Sequence, residues 1–454
     1  MTVTSGDRAP DYLPPLKRRD LAHIPGYNGM PVVGNTLKVL ADPEAFGNRA
    51  YAKFGTVYRN HAFGNWGINL LGPDANELVL FDRDKIFSSE QGWSPILHRL
   101  FPRGLMLLDF EEHRRDRKAL SIAFKPEPMQ HYAHALNAGI APRIGSWSNQ
   151  NFKFYPEVKK LTLDLAATSF LGVAWGPEAD AINRAFVDMV AASVGVVRVP
   201  LPGTLMARGV AGRRFILNFF AREIPLRRAR GGSDMFSQLC QVEDDDGALL
   251  SDQSIMDHMN FLMMAAHDTL TSSITSMVYM LAKNPEWQSK LRAENESLGI
   301  NDDELPYAKL NDMPLTECVF KESLRIMPPV PSVPRRALKA FEFDGHRIPA
   351  GAWVSINPLF THRMADYWPA PKQFDPLRFL PENSQGRHKY AWVPFGGGAH
   401  MCLGLHFAYM QTKIFFFHLL RQHEIALAPE AQEQWQIFPI PKPKDGLPVM
   451  VKPL

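Results

Sequence analysis

The feature that most limits what this chain can become is the loop Phe395-Gly396-Gly397-Gly398-Ala399-His400-Met401-Cys402-Leu403-Gly404. It delivers a single thiol to the start of an apolar run of helical composition, Leu405-His406-Phe407-Ala408-Tyr409-Met410. Glycine accepts positive φ and lets the backbone approach a flat surface closely. The helix that follows places the sulfur near unpaired N–H groups and the positive end of the helix dipole, both of which stabilise an anionic sulfur. A lone cysteine is more often plain core, but the pattern around this one points to a thiolate that serves as a ligand.

The loop resembles the haem-binding signature of the cytochrome P-450 family, Phe-x-x-Gly-x-(Arg or His)-x-Cys-x-Gly, with Phe395, Gly398, His400, Cys402 and Gly404 filling it in order. The resemblance implies the cytochrome P-450 fold, mainly α with a small β-rich part. It also implies heme b (iron protoporphyrin IX) held axially by the Cys402 thiolate. His400 stands where most members carry Arg, as in sterol demethylase-like members; some similarity to retinoid hydroxylase-like members is also expected. Its implied place is against a haem propionate, with a charge that titrates near neutrality where a guanidinium would not.

Composition bounds the rest. The chain has 454 residues, 45% hydrophobic and 21% charged, enough for a sizeable core. Cys240, Cys318 and Cys402 are far apart and form no C-x-x-C pair, which excludes a disulfide framework or a zinc or iron–sulfur ligand set and suits a reducing cytoplasm. A formal charge of +3 is too near zero for a nucleic-acid footprint. The first residues, Met1 to Arg8, include an acid and no apolar run, so neither a signal peptide nor a membrane anchor is expected, as in a bacterial-type cytoplasmic enzyme.

No repeat or low-complexity tract appears, and the sequence reads as one unit, 1–454. The proline-rich opening Ile24–Asn35 cannot be helical. A β-rich part is expected near 55–75, as strands Thr56–His61 and Gly67–Leu71 around the turn Phe63-Gly64-Asn65-Trp66, and again over 341–357 around Asp344-Gly345-His346. Helical patterns dominate from about 109 to 327, and the ligand loop spans 395–404.

Four further stations match the resemblance. In the long apolar pattern Ser251–Lys283, the polar interruption His267-Asp268-Thr269 needs a reason in mid-core. It resembles the family's oxygen-activating motif, which implies that Asp268 relays protons and that the Thr269 hydroxyl acts on dioxygen; Ala266 and Leu270 depart from the usual residues. Glu322-Ser323-Leu324-Arg325 resembles the Glu-x-x-Arg motif, with Arg378 of Asp375-Pro376-Leu377-Arg378-Phe379 as its implied third member. The role implied for Glu322, Arg325 and Arg378 is structural. His113 and Arg117, four apart and so on one helix face, are implied propionate ligands, as is Arg335, with Arg336 as the alternative one residue on.

By the same analogy the substrate pocket draws on Ile96 to Met106, Val196 to Leu205, Phe261, Ala265, Val330 to Val333, and Phe438 with its neighbours. These stretches are nearly all apolar, which implies a hydrophobic substrate such as a fatty acid, terpenoid or steroid. The implied activity is a haem-thiolate monooxygenase fed by a separate ferredoxin and ferredoxin reductase. A peroxide-driven peroxygenase is disfavoured by Asp268-Thr269, and a non-enzymatic haem sensor or carrier would not need that pair. A basic cluster of Arg114, Arg115, Lys118, Arg387, His388 and Lys389 is the expected docking patch for an acidic ferredoxin.

Overall fold

The computed structural model describes residues 12–147, 150–195, 197–243, 247–301 and 304–454. Its axis is the helix Asp252–Lys283, begun by Ser251, whose side chain accepts from Ser254 N. Most of its length is buried on every side, from Ile255 to Leu281, as befits a helix apolar all round. The helices Phe154–Leu171 and Pro314–Ile326 pack along it. The helix Leu405–Gln422 lies against Pro126–Gly145 and contributes Phe407, Met410, Ile414 and Phe415 to the same core.

A second apolar cluster sits on a six-stranded sheet. Its strand order is Gly26–Tyr27, Val57–Ala62, Asn65–Leu70, Trp353–Ile356, Val333–Ala337, Phe87–Ser88. The first hairpin is tighter than the sequence predicts: Ala62 pairs with Asn65, leaving a two-residue turn in which Phe63 (φ 52°) and Gly64 (φ 76°) both adopt left-handed backbone. The stretch 341–357 divides in two. Phe341–Phe343 and His346–Ile348 form their own hairpin, whereas Trp353–Ile356 joins the large sheet.

Three strand features depart from expectation. Residues 73–75 already belong to the helix Pro73–Phe81, because Pro at the first helical position is pre-set for a helix start. The strand Val333–Ala337, which carries both candidate arginines, lies outside the expected β-rich stretches. A three-stranded sheet joins His423–Leu427, Pro448–Pro453 and the distant Gln150–Lys153. Among the described residues no helix is long and apolar enough to cross a membrane.

Candidate active site

The cysteine loop folds as its glycines require. Gly396 and Gly398 have φ of 71° and 60°, and a Cβ on Gly398 would fall 2.1 Å from the Leu80 carbonyl oxygen, so no side chain fits there. Cys402 N donates to the Phe395 carbonyl at 2.9 Å, closing the loop three residues before the helix Leu405–Gln422 begins. Cys402 is exposed on one side although enclosed on most others, whereas Cys240 and Cys318 are buried. Burial pushes the Cys402 thiol up, while the Gly404 N–H and the Arg117 guanidinium pull it back.

Arg117 belongs to a cleft of about 540 Å³ whose lining includes His113, Arg117, Arg335, Gly398 and His400. The His113 and His400 rings approach to 3.9 Å between centroids. Burial, then Arg117 and Arg335, lower His113 to about 4; burial, then Arg335, His113 and Arg117, lower His400 to about 2. Both imidazoles are therefore neutral here, and positive charge rests on the two arginines. The carboxylates lining the cleft are partly committed: Asp82 accepts from Ile86 N and Phe87 N, and Asp109 from Ser88 Oγ and Ser89 N. Among the described residues neither Arg117 nor Arg335 has a carboxylate within ion-pair distance, and His113 Nε2 is buried without a partner. Arg336 points elsewhere, donating to the Leu13 and Pro14 carbonyls at 2.9 and 2.6 Å. A flat group bearing two carboxylates, with one face offered to a thiolate, fits this donor set.

The long helix contributes its middle. Met264, Ala265, Ala266 and Thr269 remain partly accessible although residues 257–263 and 270–281 around them are buried, so this stretch also borders internal space. Thr269 Oγ1 donates to the Ala265 carbonyl at 2.8 Å, and Thr271, Ser273 and Thr275 each donate to the carbonyl four residues back. Asp268 is met from another helix: Lys159 Nζ lies 3.1 Å from its Oδ1, with His267 Nε2 at 3.0 Å. The Lys159 ammonium offsets the buried carboxylate's charge from the neighbouring helix. Burial alone would raise the Asp268 pKa, but His267 and Lys159 outweigh it and hold the carboxyl well below its ordinary range.

Glu322 and Arg325 are fully buried and joined by two bonds of 2.7 Å, and Arg378 Nε comes to 3.4 Å from Glu322. The remaining donors are met by backbone: Arg325 reaches the carbonyls of His362 and Pro371, and Arg378 those of Pro369 and Ala370. Two members of this scaffold escaped sequence reasoning. His362 Nε2 accepts from Val393 N at 2.9 Å, which fixes the approach to Phe395, and buried Lys413 of the cysteine helix pairs with Glu317 at 2.8 Å. A lone histidine after a short helix gives no signal; a lysine inside the apolar pattern 405–422 could have given one.

Of the expected pocket residues, Ile96, Ala265, Val330, Val333 and Phe438 are partly accessible, whereas Phe261 is buried against Gly104. Val196 lies outside the described residues. The expected basic patch is broken up by acids: Arg114 pairs with Glu111, Arg115 with Asp116, and His388 with Asp74. Arg387 stacks over Trp368 and donates to the Arg378 carbonyl, while Lys118 and Lys389 remain exposed.

Known proteins resemble this chain in sequence and fold. The family model described as Cytochrome P450 matches residues 213–446. Cytochrome P450 136 of Mycobacterium tuberculosis is 36% identical over 95% of this chain and 89% of its own length. Cytochrome P450 120 of Synechocystis is 30% identical over 97% and 99%. A solved structure described as retinoic acid bound cyanobacterial CYP120A1 superposes with a TM-score of 0.86 at 30% identity, covering 95% of this chain and 99% of that one. Family model, full-length relatives and fold agree, and the chain belongs to the cytochrome P450 family as a monooxygenase that binds heme b through a cysteine thiolate.

Proposed function

We propose that this enzyme inserts one oxygen atom into a hydrophobic small molecule of terpenoid, steroid or fatty-acid type, with electrons from a separate ferredoxin and ferredoxin reductase. The observation that carries the site assignment is the cleft that brings His113, Arg117 and Arg335 together with Gly398 and His400 of the cysteine loop. The mostly apolar pocket stretches support the substrate class. So does the similar CYP120A1 structure, which is described with retinoic acid, an isoprenoid acid.

Cys402 would hold the haem iron through its thiolate, steadied by the Gly404 N–H. Arg117 and Arg335 would pair with the two propionates, and His113 and His400 would offer ring nitrogens beside them. When bound, the haem supplies the activation of dioxygen and the transfer of oxygen to a C–H bond, favoured by electron donation from the thiolate. Thr269 Oγ1 holds a proton beside the partly accessible stretch 264–269. Asp268 holds the adjacent carboxylate, and Lys159, a quarter exposed, links it to solvent. Proton entry therefore runs along the seam between the helices Phe154–Leu171 and Asp252–Lys283.

The reduced protein under carbon monoxide should absorb at about 450 nm, as expected where a cysteine thiolate holds the haem iron. Cys402→His should lose that band while keeping haem. A Cys402→Ala protein that retained both haem and the band would sink the ligand assignment.

A further inference from the structure

Residues 12–16 form neither helix nor strand, and the polar contacts described for Tyr12, Leu13 and Pro14 run to two places. Tyr12 Oη meets Ser94 Oγ at 2.8 Å and Glu90 Oε1 at 3.2 Å, and Leu13 N donates to Gln91 Oε1 at 3.3 Å; all three partners lie on the helix Ser89–Leu97. The Leu13 and Pro14 carbonyls accept from Arg336 on the strand Val333–Ala337. Leu16 then settles near Gly351 and the second apolar cluster.

Helix and strand also touch directly. A Cβ on Gly92 would fall 2.7 Å from the Pro334 carbonyl oxygen and 2.8 Å from Arg335 Cα, so the backbone at Arg335 is seated against the helix with no side chain between. Successive strand residues point to opposite faces. Arg336 therefore turns toward the N-terminal segment while Arg335 turns into the cleft with His113 and His400. The Arg335 guanidinium is itself loosely oriented by side chains: its one described hydrogen bond goes to the Pro334 carbonyl. Its aim is set mainly by where its backbone is held.

We infer that residues 12–14 act as a strap that positions Arg335. By tying Arg336 to the helix Ser89–Leu97, the strap fixes the strand segment from which Arg335 reaches the haem propionate. The inference rests on the reading that Arg335 is a propionate ligand. Tyr12 and Arg336 are thus positioning residues, acting through Arg335 on haem retention by pre-organising a charge-assisted contact.

The test is the rate at which ferric holoprotein loses haem to excess apomyoglobin. Tyr12→Phe removes one hydroxyl and should speed loss about threefold; Arg336→Met removes two bonds and should speed it about tenfold, in keeping with the worth of single buried hydrogen bonds. Arg336→Lys should recover part of the difference. Each variant should keep the carbon monoxide band, showing that the thiolate is intact. In an Arg335→Ala background the strap substitutions should add less than about a factor of two, because sites acting through one partner are not additive. Unchanged haem loss in Tyr12→Phe and Arg336→Met, beside faster loss in Arg335→Ala, would overturn the strap and leave the propionate assignment standing. Full strap effects in the Arg335→Ala background would show that the segment acts elsewhere and would also overturn it. No effect of Arg335→Ala would bring down the propionate assignment and the strap with it.

Discussion

Replacing Asp268 by Asn keeps the shape of the side chain and removes its charge, leaving Lys159 and His267 facing a neutral amide inside the protein. At the 3.1 Å separation from Lys159, and with an effective dielectric of about 20, the bare attraction is about 5 kcal/mol. Desolvation of a buried carboxylate and the partial exposure of Lys159 reduce this to a net loss of about 3 kcal/mol. For a chain of this length that is roughly 3 °C in the melting temperature of the ferric holoprotein. Asp268 has a folded pKa below its unfolded value, so the stability it contributes is whole above the unfolded value near 4 and is lost as pH falls through the folded pKa. The gap between wild type and Asp268→Asn should therefore narrow as pH falls below about 4. Turnover with saturating redox partners should fall ten- to a hundredfold, about the worth of a positioned proton-transfer group. Combining the change with Lys159→Met measures the pair itself: coupling of at least about 1 kcal/mol is expected. Effects that add within about 0.5 kcal/mol, together with unchanged turnover, would refute the ion pair and its place in proton delivery.

Thr269→Ala should leave substrate-induced spin shift and melting temperature nearly unchanged, since among the described residues its hydroxyl bonds a helix carbonyl alone, while peroxide formed per NADPH rises several-fold. Gly398→Ala should yield protein without the carbon monoxide band, because the new methyl meets the Leu80 carbonyl at a backbone φ of 60°; normal haem content would contradict that packing. Lys118→Glu and Lys389→Glu should raise the apparent KM for an acidic ferredoxin several-fold at low ionic strength and little at high salt, where screening shortens to roughly 3 Å. Stopped-flow reduction rates indifferent to both changes would remove this face from consideration as the docking surface.

What the sequence makes legible is local. The helix around Asp268 is visible to within a residue at each end, because Ser251 caps it and its apolar run is long. The cysteine loop is visible because its glycines answer steric demands set within a few residues. What stays hidden depends on distant partners. Lys159 is one of many lysines until the fold sets it against Asp268, more than a hundred residues on. The strand Val333–Ala337 contains a proline and two arginines, so pattern alone cannot decide which arginine enters the cleft; alternation on the folded strand decides it. The basic cluster looked continuous only because its neutralising acids were out of view: Asp74 lies far from His388 in sequence. The strand Gln150–Lys153 is exposed over most of its length and finds its partner near the C-terminus, so no local periodicity announces it.

The row of hydroxyls at Thr269, Thr271, Ser273 and Thr275 has a mechanical consequence. Each bonds to a carbonyl that also serves the helix ladder, and such shared acceptors soften and bend a helix. The helix is about 48 Å long at the usual rise, and its compliance is concentrated over about two turns beside the partly accessible stretch. A helix with shared acceptors there bends more readily at that stretch than along the rest of its length. Both flanks of that stretch, residues 257–263 and 270–281, are buried in the core, so any bending is confined to the stretch between them.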